Sequence, residues 1–205
     1  VSAALARLRR HPAIWRRRLP PASVLPTGFP ALDEMLPGAG WPMGALTEIL
    51  VPRAGAGELR LVMPALADLS TRGRWLVWVG PPYVPYAPAL EARGIALSRI
   101  LWVRSDNTAQ QLWSAEQALR SGACGAVLTW PTRVHQRRLR RLQLAAESGG
   151  AWALLFRRET SPGDGSPASL RLRVTPAAPV ANSLSVEVLK CRGRPGARAE
   201  IILDE

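Results

Sequence analysis

At 205 residues, 47% hydrophobic and 20% charged, the chain suits one domain with a sizeable core and is too apolar for a disordered chain. Its formal charge of +12 favours a polyanion or an acidic protein surface as partner, although all but one of its 27 basic residues are Arg, which points equally to a compositional habit. No run of roughly 18 apolar residues is present to cross a membrane. No apolar segment follows the basic N-terminus to make a secretory leader, and Cys124 and Cys191 lack metal spacing, so a cytoplasmic protein without a metal is expected.

The first 18 residues carry Arg7, Arg9, Arg10, Arg16, Arg17 and Arg18 without an acid, with Leu8 and Trp15 between them. Leu19-Pro20-Pro21 ends any helix there. Residues 1–24 therefore read as a basic arm and linker. The arm is either solvated or docked on a partner or nucleic-acid backbone through Trp15, Arg16, Arg17 and Arg18. Residues 25–205 read as the folded domain. A short helix is predicted from Phe29 to Leu36, then a turn at Gly38, Gly40 and Pro42.

Leu46–Val51 is an apolar run fit for a buried strand. The turn Pro52-Arg53-Ala54-Gly55-Ala56-Gly57 follows, and then Leu59, Val62, Met63, Leu66 and Leu69 recur at helical spacing. Strand, glycine turn and helix form the grammar of a phosphate-binding loop. The chemistry is missing. A working loop ends in Lys, which reaches the phosphates, and Ser or Thr, which holds Mg²⁺. Here Glu58 and Leu59 stand in those places: a carboxylate repels phosphate and Leu cannot bind a metal. Pro64 falls inside the helical pattern, where a proline costs on the order of 3 kcal/mol or imposes a kink.

Arg74–Val79 is predicted as a second strand, Pro88–Ala92 as a short helix and Ile100–Val103 as a third strand. Ser105-Asp106-Asn107-Thr108 offers N-caps for a helix over Ala109–Arg120 that turns Leu112, Ala115 and Leu119 inward. Gly125–Trp130 and Ala151–Phe156 are predicted as further parallel strands, separated by a helix from Arg133 to Glu147. At about 100° per residue that helix gathers Arg133, Arg137, Arg140 and Arg141 on one side and Leu139, Leu142 and Ala146 on the other. Four guanidiniums in a stripe suit phosphates or an acidic protein groove, and equally a solvated face. His135 has no spaced partner for a metal.

A polar loop is predicted over Arg157–Pro167. Leu170–Val174, Leu184–Leu189 and Ala199–Leu203 alternate in hydrophobicity and are predicted as antiparallel strands at a sheet edge. Between the last two lies a basic hairpin with Lys190, Arg192, Arg194 and Arg198. Of eight Trp, those in or beside the strands (Trp75, Trp78, Trp102, Trp113, Trp130, Trp152) are mostly assigned to the core, and Trp15 and Trp41 to exposed anchor positions.

The string Thr27-Gly28, Leu32-Asp33, Leu36 to Gly40, Pro42-Met43-Gly44 and Glu48-Ile49 resembles the lead-in to the first strand of RecA-family recombinases. The loop Gly55 to Leu61 resembles the degenerate loop of the ImuA/SulA group of RecA-like proteins, with the wording nearest its translesion-synthesis branch. The likeness covers nearly all of the chain after the arm. It implies a RecA-like α/β three-layer sandwich with a mostly parallel sheet and antiparallel C-terminal strands. It also locates two further losses. The catalytic Glu that follows the second strand in recombinases is replaced by Pro81-Pro82, and the Mg²⁺-linked Asp at the end of the fourth by Thr129-Trp130-Pro131. A non-catalytic accessory protein without a cofactor is then expected in DNA-damage-induced translesion synthesis. The partners implied are an ImuB-type polymerase-like protein and an error-prone replicative-type polymerase, with RecA a further candidate and at most weak DNA-backbone contact. The alternatives are a SulA-type inhibitor of the tubulin-like division protein and an ATPase with a rebuilt loop.

Overall fold

The computed structural model describes residues 24–105, 107–158, 165–177, 182–191 and 195–203. Trp15, Arg16, Arg17 and Arg18 of the arm, and Arg192 and Arg194 of the basic hairpin, lie outside the described residues.

Strands β1 (Val24–Leu25) and β2 (Trp41–Pro42) form a small antiparallel pair around helix α1 (Pro30–Asp33). Thr27 sets the entry to α1: its hydroxyl accepts from the Phe29 amide at 3.0 Å, while its own amide donates to Asp33 Oδ1 at 3.0 Å. The main unit then alternates β3 (Leu46–Val51), α2 (Glu58–Thr71), β4 (Trp75–Val79), α3 (Ala87–Ala92), β5 (Ile100–Val103), α4 (Thr108–Arg120), β6 (Cys124–Thr129), α5 (Gln136–Gly149) and β7 (Trp152–Arg158). It closes with β8 (Leu170–Pro176), β9 (Ser183–Lys190) and β10 (Arg198–Ile202).

The eight-stranded sheet has the order β10-β9-β8-β3-β7-β6-β4-β5. Pairing is parallel from β8 through β3 to β5, and antiparallel between β8, β9 and β10. The C-terminal strands are antiparallel to one another as expected, but β8 first joins β3 in parallel, with Thr47 opposite Leu170.

Each face of the sheet has its own core. On one face, Ile49, Val51, Leu76, Trp78, Leu128, Leu154 and Phe156 pack with Leu61, Val62, Leu66 and Leu69 of α2 and Leu90 of α3. On the other, Leu46, Val77, Val79, Val127, Ala153 and Leu155 pack with Leu112, Ala115 and Leu119 of α4 and Leu139, Leu142 and Ala146 of α5. Fully burying one such aliphatic side chain contributes about 1.5–3 kcal/mol, so the two layers carry most of the stability. The predicted inward faces of both helices are those observed.

Pro64 does not break its helix; α2 runs 14 residues through it. The proline sits on the solvent side of the helix, where its ring displaces nothing from the core. Gly28, at φ +88°, comes against it: a Cβ there would lie 2.6 Å from Pro64 Cβ, so only glycine permits this approach of the lead-in to α2.

The expected Trp positions need correction. Trp41 is fully buried, not an exposed anchor, because the β1–β2 pair folds it over the sheet to stack on Trp152 at 5.0 Å. Trp78 and Trp152 are buried as expected, but Trp75, Trp102 and Trp113 are 38%, 37% and 58% exposed. Trp102 lies on β5, which is an edge strand, and Trp113 lies on the outer side of α4.

Candidate functional site

The loop after β3 is held shut from within. Gly57, at φ +100°, makes the left-handed N-cap of α2. A side chain there would also press on β9, because its Cβ would lie 3.0 Å from Leu184. Glu58 is the first residue of α2 and is 2% exposed. Its Oε1 accepts the Gly55 amide at 2.9 Å. A working phosphate loop aims such amides at a phosphate. In this chain a carboxylate of the loop itself takes the Gly55 donor, next to the positive end of the helix where an anion is favoured. Glu58 thus holds the Gly55 donor from within the loop. Pro52 and Arg53 are exposed, and the Pro52 carbonyl accepts from Arg158 Nε at 3.3 Å.

The ends of the neighbouring strands are closed as well. After β4, Gln111 of α4 donates through Nε2 to the carbonyls of Val79 at 3.1 Å and Gly80 at 3.0 Å. A Cβ on Gly80 would come within 2.3 Å of that nitrogen, so glycine is required for the cap to seat. Beyond it, Pro82, Tyr83, Val84 and Tyr86 are exposed. After β6, Trp130 stacks on Phe156 with ring centroids 4.9 Å apart and tilts against Trp78 at 5.8 Å. Trp78, Trp130 and Phe156 therefore form one aromatic cluster beside the end of β6. Among the described residues no group of three His, Cys, Asp or Glu is arranged to hold a metal.

The basic candidates fare unequally. Helix α5 begins at Gln136, so Arg133 lies in the turn before it rather than on the stripe. Arg137 and Arg140 are exposed on the outer side. Arg141 is engaged: its Nε lies 2.9 Å from Glu116 Oε2 on α4, a buried carboxylate that also holds Arg120 at 3.1 Å. Arg157 is not in a loop. It is in β7, where it and Arg171 of β8 each approach the fully buried Glu48 of β3 to 3.0 Å. The alternation of β7 turns Arg157 toward the Glu48 side, and burial of Glu48 demands the counter-charge.

In the C-terminal hairpin, Arg198 opens β10 and lies 2.9 Å from Glu187, which also holds Arg173 at 2.6 Å. Lys190, at the end of β9, donates to the Ser166 carbonyl. These two cations are structural ties in the described hairpin. The Arg198 and Arg173 guanidiniums hold the Glu187 carboxyl below the usual carboxylate range. Sequence reasoning did not single out Gln111 or Glu116, and it grouped Trp113 with the core. A helical projection of α4 places Trp113 about 100° from the inward Leu112, which was the available signal for its exposure.

A mostly parallel sheet with helices on both faces, whose first long strand runs through a glycine loop into a helix, defines an α/β protein of RecA-like architecture. The family model for the cell division inhibitor SulA matches residues 44–153. The chain is 30% identical over 200 residues to Protein ImuA of Caulobacter vibrioides, covering 86% of this chain and 82% of that one. It is 29% identical over 122 residues to the cell division inhibitor SulA of Pectobacterium carotovorum, covering 59% and 73% respectively. With SulA of Yersinia pestis the figures are 28% over 131 residues, 63% and 78%. The chain belongs to the ImuA/SulA group of RecA-like proteins.

Proposed function

We propose that this chain is a non-catalytic accessory protein of DNA-damage-induced translesion synthesis, working in the cytoplasm through protein contacts. The observation that carries the reading is the breadth of its likeness to Protein ImuA, which extends over 86% of the chain, against 59–63% for the SulA relatives. The Glu58 carboxylate bonded to the Gly55 amide supports a role without nucleotide turnover. Residues 25–205 act as a rigid platform and residues 1–24 as a basic arm. The partners in this reading are an ImuB-type polymerase-like protein and an error-prone replicative-type polymerase, with RecA a further candidate and DNA-backbone contact weak.

A second reading, inhibition of the tubulin-like division protein, is favoured by the SulA family model over residues 44–153. The two separate in a strain lacking its own copy. Expression of the chain is expected to restore mutagenesis after ultraviolet damage and to leave cell length normal. Filamentous growth without restored mutagenesis would replace the first reading with the second. In the purified protein, millimolar MgATP is expected to leave the melting temperature unchanged. A ligand at 100 times its dissociation constant adds about 2.7 kcal/mol, so a rise of several degrees would instead support an ATPase with a rebuilt loop.

A further inference from the structure

The outer surface of the α4–α5 pair combines apolar and cationic side chains, with no unengaged acid among the described residues of the two helices. Two contacts fix how the helices lie side by side. Thr108 and Thr132 hydroxyls are 3.4 Å apart near the two N-termini, and Glu116 meets Arg141 at 2.9 Å further along. The offsets agree to within one residue, so Trp113, three residues before Glu116, lies level with the turn of α5 that carries Arg137. Trp113 is 58% exposed, and Leu144, one turn after Arg140, is 48% exposed. The acids on these helices among the described residues are Glu116, held by two arginines, and Glu147, which accepts from Gln143 Nε2 at 2.9 Å. Neither neutralises Arg137 or Arg140.

The stripe also sits at the wrong end of its helix for stability. Helix α5 has no acid in its first turn and no side-chain cap, and guanidiniums there oppose the helix dipole. An incoming carboxylate relieves that conflict. Phosphates would use the cations but gain little from Leu144, and a base-stacking surface would want more than one aromatic platform. A peptide with acids flanking apolar side chains uses all four groups, with Trp and Arg the residue types that dominate protein interfaces.

We propose that the ridge formed by Trp113, Arg137, Arg140 and Leu144 docks an acidic amphipathic segment of a partner protein. The inference rests on the accessory-protein reading and names the surface it uses. The test is titration calorimetry of the full chain with the purified ImuB-type protein, with oligo(dT) as a second titrant. Arg137→Glu with Arg140→Glu, and separately Trp113→Ala, are each expected to weaken the protein complex at least tenfold while circular dichroism stays that of the parent and the melting temperature does not fall. Arg93→Glu, next to α3 on the opposite face, is expected to bind as the parent does. Binding that survives both ridge variants overturns the inference and leaves the accessory reading standing. Loss of oligo(dT) binding alone overturns it in favour of a nucleic-acid surface. No binding by the parent chain overturns the accessory reading with this partner and the inference together.

Discussion

Glu58 stands where the recombinase likeness would put a Lys, and its carboxylate is turned into the loop. A Lys at this position reaches away toward phosphates; a Glu at the same helix position turns back and bonds the Gly55 amide at 2.9 Å. The glycine conformations remain, because Gly55 and Gly57 keep their positive φ of +78° and +100°. Loss of a capping acceptor typically costs about 1 kcal/mol. Glu58→Ala is therefore expected to lower stability by about that amount in urea unfolding, and Glu58→Gln, which keeps an acceptor, by less than half of it. Equal losses in the two variants would show that the bond to Gly55 contributes nothing. That Glu58 and Leu59 follow Gly57 is plain in the sequence. The inward turn of Glu58 is not, since it depends on the folded loop bringing the Gly55 amide to 2.9 Å from the carboxylate.

At the scale of elements, strand and helix identities were legible because each is long enough to show its period, and α2, α4 and β3 lie within a residue or so of where the pattern puts them. What periodicity does not encode is which strand lies at the edge. Trp102 looks like a core residue by composition, yet it lies on β5, which has no neighbour beyond it among the described residues. Nor does local sequence say which cations have partners. Arg157 and Arg198 read as free loop charges but face Glu48 and Glu187 across the sheet, and such pairs join residues far apart in the chain. The C-terminal hairpin offers a check through pH. Because Glu187 has a depressed pKa, its ion pairs stabilise the hairpin above the ordinary carboxylate pKa, and that contribution fades as pH falls through the depressed value. Amide exchange in β9 and β10 is expected to accelerate as pH drops below that range, after correction for intrinsic rates, and the acceleration is expected to vanish in Glu187→Gln. An unchanged profile in the variant would remove Glu187 as the cause.

For the whole molecule, the parallel order of the sheet follows from alternating strands and helices and from the lead-in likeness, so the fold was legible almost throughout. The exception is the charge at its centre. Glu48 lies in what reads as a plain apolar strand, yet it is fully buried and joins β3 to β7 and β8 through Arg157 and Arg171. Removing one partner from such a cluster typically costs about 3–5 kcal/mol, because the remaining charges stay buried without compensation. Glu48→Gln is expected to lower the unfolding free energy by a loss of that order in a single transition, since the triad spans the join between the parallel strands and the C-terminal hairpin. Two separate transitions would mean that the hairpin unfolds independently of the rest.

The carboxylate in the glycine loop has one more consequence. A motor or switch of this architecture alternates between loaded and empty states, and the interval between them is its clock. On the proposed reading, a loop whose Gly55 amide is already held by Glu58 has only one state, so it keeps no time. If the protein serves mutagenesis, its moment of action is set elsewhere: by how many copies the cell holds, and by whether a partner is present to meet them.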